Sequence, residues 1–183
     1  MFFGRAKDAT ELEKSIEEGF LNLDLHAVMY AGLLQDLCGE SGLKLSSNDI
    51  RIVLIVLYWS FFAYELGYLK DKKTRDRLNL FALLQFTTRF KKEFDNYEDY
   101  DFEDLLKSGN TMMGLVMKYV EPGKGTTMNG YVKATQDLIN MWSENKEFRS
   151  TPVFYGLIDE FLKNTFSPIM ATVLNFNIKY KLN

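Results

Sequence analysis

Histidine and cysteine each occur once, as His26 and Cys38, which narrows the available chemistry at once. A lone histidine cannot form a His-pair metal site or a two-histidine relay, and a lone cysteine excludes an internal disulfide or a multi-thiolate zinc site. Cys38 could serve as a nucleophile only beside a base, and nothing in the pattern brings it to His26, twelve residues earlier. Gly123-Lys124-Gly125-Thr126-Thr127 has the glycines of a phosphate cradle. A Walker A loop, however, needs a hydroxyl residue directly after its lysine, where this chain has Gly125. A loop with a threonine cap is the expected structure there.

Asp99, Asp101 and Glu103 match the first, third and fifth ligands of a calcium loop, but Asp104 and Asn110 replace the required glycine and terminal glutamate. The carboxylate pairs Asp159-Glu160 and Glu13 with Glu17 fall on polar helix faces, with no neighbour that would set one pKa apart from the other. No catalytic constellation, cofactor site or metal site is expected.

A different feature stands out. Residues 70–92 carry eight basic side chains against two acidic ones, a net +6, and residues 93–104 carry seven acids and no base. Within the acidic run, Phe94, Tyr97, Tyr100 and Phe102 alternate with the charges, which combines hydrophobic anchors with electrostatic steering. The expected contact residues are Lys72, Lys73, Arg75, Arg77, Tyr97, Asp99, Tyr100, Asp101 and Phe102. Their partner is expected to be another protein or a second copy of the chain, because C2 pairing would set one subunit's basic block on the other's acidic block. Nucleic acid is not expected: the net charge is −3, and the basic run Lys70–Arg77 lacks interleaved aromatics, a glycine-rich clamp and a known fold motif.

The elements that position these residues read as all-α. Apolar residues recur three and four apart, and strict alternation is nearly absent. Thr10-Glu11-Leu12-Glu13 has capping-box spacing and predicts a helix start with Leu12, Ile16 and Phe20 inward. A second helix is predicted over 24–38, burying Leu25, Val28, Met29, Leu33 and Leu37 and closing at Gly39. Between Ile52 and Tyr64, twelve of thirteen residues are apolar. The run is shorter than the roughly 20 residues a membrane span needs, so a helix over 49–68 is expected at the centre of the fold and no membrane partner is expected.

Further helices are predicted over about 73–94, from 101 with a break at Gly109-Asn110, from Met128 to Trp142, and along the stripe Phe154, Leu157, Ile158, Phe161, Leu162. A new or bent helix is expected at Ser167-Pro168, since proline is harmless at a first helical position. From Asn175 the order alternates polar and apolar, so a short strand is expected in the tail. The sum is one domain over 1–183, an orthogonal bundle of about six to eight helices around 49–68. With no apolar leader and one cysteine, it is expected in the cytoplasm. The leading function is an adaptor or regulatory interaction domain docking through 70–104. The alternative is a bundle binding a small apolar ligand or lipid in a cavity lined by aromatics and by Met112, Met113, Met117, Met128 and Met141.

Overall fold

A computed structural model describes residues 2–67, 69–94, 102–122, 124–143 and 148–179. Six helices occur among them: α1 Phe2–Glu40, α2 Ser47–Leu66, α3 Lys72–Phe94, α4 Phe102–Met117, α5 Met128–Trp142 and α6 Pro152–Lys179. The fold is an all-α bundle with the apolar helix α2 at its centre, as its composition requires. Every other helix packs on α2, and the five close a ring around it in the order α1, α6, α5, α4, α3. All residues from Ile50 to Tyr58 are buried, since a helix apolar on every side is stable in water only when covered on every side. No helix among the described residues is long and apolar enough to cross a membrane.

Caps explain most helix boundaries. Gly42, at φ 79°, ends α1: Leu43 donates its amide to the Cys38 carbonyl at 3.0 Å and Gly42 donates to Gly39 at 2.9 Å. This is the paired closure that a left-handed residue permits; the turning glycine is Gly42 rather than the expected Gly39. Ser46 caps α2 by accepting from the Asp49 amide at 3.1 Å, while the Asp49 carboxylate accepts from the Ser46 amide at 2.7 Å, the reciprocal capping box. Asp71 caps α3 through the Thr74 amide and hydroxyl. Thr127 caps α5 by accepting from Gly130 at 3.3 Å, as its place after the 121–125 turn predicts. Thr151 caps α6 by accepting from Phe154 at 3.1 Å, with Pro152 in the first helical position.

Four boundary expectations are corrected. The two predicted N-terminal helices are one, α1, because no proline separates them and a capping sequence cannot start a helix inside a continuous one. Gly109 does not break α4, which runs without interruption from Phe102 to Met117; a Cβ there would meet Trp59 at 3.8 Å, an ordinary contact. Helix α6 runs through Ser167-Pro168 without a new start, since Thr165, Ile169, Val173 and Phe176 remain buried along one face on both sides of the proline. The expected strand is helix through Lys179, with Phe176 buried as a continuation of that face, and residues 180–183 lie outside the described residues.

The core is continuous through all six helices. Its densest part is an aromatic cluster in which Phe20 meets Tyr58, Phe62 and Phe86 at ring distances of 5.6, 6.1 and 6.1 Å. Trp59 lies 4.6 Å from Phe86. On the other side of α2, Phe61 packs on Tyr131 at 4.6 Å. A Cβ at Gly19 would come within 2.7 Å of Ile169 and 2.8 Å of the Tyr58 hydroxyl, so a side chain there would have to displace both where α1, α2 and α6 meet.

Candidate interaction surface

The basic block is divided by the fold into internal and free parts. Arg77 forms a bidentate pair with Glu13 of α1, at 2.7 and 2.8 Å, and this hydrogen-bonded carboxylate raises the guanidinium pKa further. Arg75 reaches the carbonyls of Gly67 and Leu69, each at 3.5 Å, across the α2–α3 turn. Arg89 donates to the Leu21 carbonyl at 3.1 Å. These three arginines tie α3 to its surroundings. Lys72 and Lys73 stand exposed in the first turn of α3, where the helix dipole disfavours cations.

Of the acidic half, Tyr97, Asp99, Tyr100 and Asp101 lie outside the described residues, as does the side chain of Phe102, whose backbone opens α4. Glu103 and Asp104 occupy the first turn of α4, the favourable end for negative charge. The structure therefore brings Arg75 and Arg77 to the α2–α3 turn and to α1.

The largest departure from the sequence reading is on α1 itself. Leu25, Val28, Met29 and Leu33, assigned to the core by their spacing, point outward, with Leu25 69% exposed. Leu37 is partly buried against the core. The buried set is Leu23, Ala27, Tyr30, Ala31, Leu34 and Cys38. Residues 25–35 contain no charged side chain, so periodicity alone could not choose a side. The choice is made by the N-terminal stripe of the same unbroken helix, by the Asp24–Arg51 pair and by two alanines that fit against neighbouring helices. The result is an outward face of Leu21, Leu25, Val28, Met29 and Leu33, each about half exposed or more. Leu80 and Leu84 of α3 are exposed as well. The absence of charge between Asp24 and Asp36 was the available signal for this face.

The lone histidine and the lone cysteine lie apart. His26 and Cys38 share one unbroken helix, about 18 Å apart at the helical rise, which excludes a thiol–imidazole pair. The His26 Nδ1 is buried without a hydrogen-bond partner among the described residues. Burial pushes the Cys38 thiol up to about 11. At pH 8 only about one part in a thousand is thiolate, so alkylation of the native protein by iodoacetamide is expected to be orders of magnitude slower than in urea and to accelerate toward pH 11. Equally fast native labelling at pH 8 would contradict this burial.

Glu121 and Gly125 close the 121–125 turn, with Gly125 at φ 77°. Asp159 pairs with Lys163 at 2.6 Å, as Glu13 does with Arg77. Phe61, Tyr131, Met112, Val116 and Leu138 belong to the core where α2, α4 and α5 pack together. Met117 and Met141 are exposed. Comparison with family models, with curated proteins and with solved structures finds no match to this chain.

Proposed function

We propose that this chain is a non-enzymatic protein–protein interaction domain, an adaptor or regulatory unit of the cytoplasm. It docks through the outward face of α1 together with the charge-reversing 70–104 edge. The observation that carries the reading is the α1 face: five large apolar side chains over more than three turns, bounded by Glu17 and Glu18 before it and by Asp36 and Glu40 after it. Scattered apolar residues on a surface need no explanation, whereas a continuous apolar row rimmed by charge is the anatomy of an interface. Lys72 and Lys73 supply a basic flank, and Tyr97, Asp99, Tyr100, Asp101 and Phe102 join the surface on the strength of their sequence pattern.

Affinity capture with the wild-type chain and with a Leu25→Glu, Val28→Glu variant tests the reading. Both positions are exposed, so the variant is expected to keep its thermal midpoint within a few degrees. A protein recovered by the wild type is expected to rebind the purified chain directly and to lose at least tenfold in affinity for the variant, since a buried charge at an interface centre costs more than about 1.4 kcal/mol. Equal binding to both chains would remove the α1 face from the proposal.

A further inference from the structure

We infer that α3 is a releasable clasp: the helix detaches from α1 and the aromatic cluster as one unit while the other five helices stay folded. The inference stands apart from the proposed interaction function and concerns how the bundle opens.

Three observations carry it. First, a single row holds α3. Among its described side chains, Lys72 to Lys91, the buried ones are Thr74, Leu78, Ala82, Phe86 and Phe90, each four residues after the last. At 3.6 residues per turn such a row winds around the helix by about 40° per step, so the contact is one oblique ridge and not a broad face. Leu78, Phe86 and Phe90 are its large members, and Phe81 adds a partly buried ring. Leu80, Leu83 and Leu84 are 69%, 43% and 60% exposed, so α3 leaves as many large apolar side chains outside as it buries fully. The helix packs chiefly on α1 and lightly on α2 and α4.

Second, the polar ties to α1 lie at the rim. Arg77, which holds Glu13, has a side chain 45% exposed, and the bond from Arg89 to the Leu21 carbonyl is exposed too. Solvent screens both, and neither resists opening as an enclosed pair does.

Third, the remaining helices do not depend on α3 for closure. Each of α1, α2, α4, α5 and α6 packs on at least two of the others in that set. Release of α3 takes Phe86 away from Trp59 and Phe20, its neighbours at 4.6 and 6.1 Å, and uncovers an aromatic floor on α1 and α2. Elements with few buried apolar side chains are the ones that open below the free energy of global unfolding.

Native-state hydrogen exchange on the purified full chain, read along the sequence from zero to sub-denaturing urea, tests the inference. The α3 amides are expected to share one opening, at least about a hundredfold more populated than the one that frees the slowest amides of α2 and α6. Its urea slope is expected to be smaller than theirs, because less surface is exposed. Leu78→Ala is expected to speed α3 exchange by about thirtyfold or more. Ile158→Val, at a fully buried position of α6, which packs on α1, α2 and α5, is expected to speed the slowest amides of α2 and α6 by about two- to tenfold. It is expected to leave α3 exchange unchanged, since its contacts survive when α3 is released. Exchange of α3 at the rate and urea slope of α2 overturns the inference, as does equal acceleration of α3 by Ile158→Val. Rates graded from the ends of α3 without urea dependence also overturn it, because they report fraying and not release of a unit.

Discussion

Phe20→Ala is expected to cost about 3–5 kcal/mol of folding stability and to lower the thermal midpoint by roughly 6–20 °C for a chain of this size. Phe20 is 1% exposed and touches four aromatic rings: Tyr58, Trp59, Phe62 and Phe86. Truncation removes these edge and tilted ring contacts together with the transfer free energy of the ring. The cavity cannot close readily, because α1 is held at the neighbouring residue by the tight approach of Gly19 to Ile169 and Tyr58, and Arg77 and Arg89 tie α1 to α3 on the other side. Phe20→Leu keeps part of the volume and is expected to cost about half as much. Leu25→Ala, five residues along the same helix, is expected to change stability by no more than about 0.5 kcal/mol in the monomer. Urea titrations followed by near-ultraviolet circular dichroism, which reports Trp59 beside the cavity, distinguish these cases. A loss below about 1 kcal/mol for Phe20→Ala would mean that the cluster repacks around the missing ring instead of holding its shape.

Asp24→Ala is expected to be nearly as damaging, for a different reason. Arg51 opens the central helix with its side chain only 7% exposed, and its Nε and Nη2 both donate to one Asp24 oxygen. Removing the carboxylate leaves a guanidinium enclosed with its principal counter-charge gone, and breaking a buried pair in this way typically costs about 3–5 kcal/mol. Asp24 itself is 27% exposed; water can enter when it is deleted, which places the expected loss near about 3 kcal/mol. Replacing both residues, Asp24→Leu with Arg51→Met, is expected to recover most of the loss, because the desolvation of two charges disappears along with their attraction. A double-mutant cycle measures the coupling; strictly additive losses would falsify the pair as the reason for the effect.

Much of the architecture was legible in the order of residues. The placement of 49–68 at the centre followed from its lack of a polar side, and all five other helices pack on it. The threonine cap of α5 was readable because a short side chain accepting from an amide three residues on is a local event. Local signals failed where two of them competed. Thr10-Glu11-Leu12-Glu13 can start a helix, yet the chain before it is helical too, and the box lies inside a turn already formed. Ser167-Pro168 could start a helix, but buried Thr165 and Ile169 on either side hold α6 through it.

The interaction surface was legible only in part. Arginine, lysine and carboxylate counts located the 70–104 edge, but not which cations would be used internally; Arg77 binds Glu13, sixty-four residues distant in sequence. The α1 face was missed because a stretch without charge has no polar side to set against an apolar one, and nothing local then tells inward from outward.

The sequence by itself determined the helical class, the innermost helix and the threonine cap of α5, since each depends on composition or on residues within about four positions of one another. Only the tertiary structure decided which side of α1 meets the core and which arginines are bound. Those outcomes depend on how the packed helices align Gly19, Ala27 and Ala31 against their neighbours and bring Asp24 to Arg51. Contacts between residues far apart in the chain have no local periodicity to announce them.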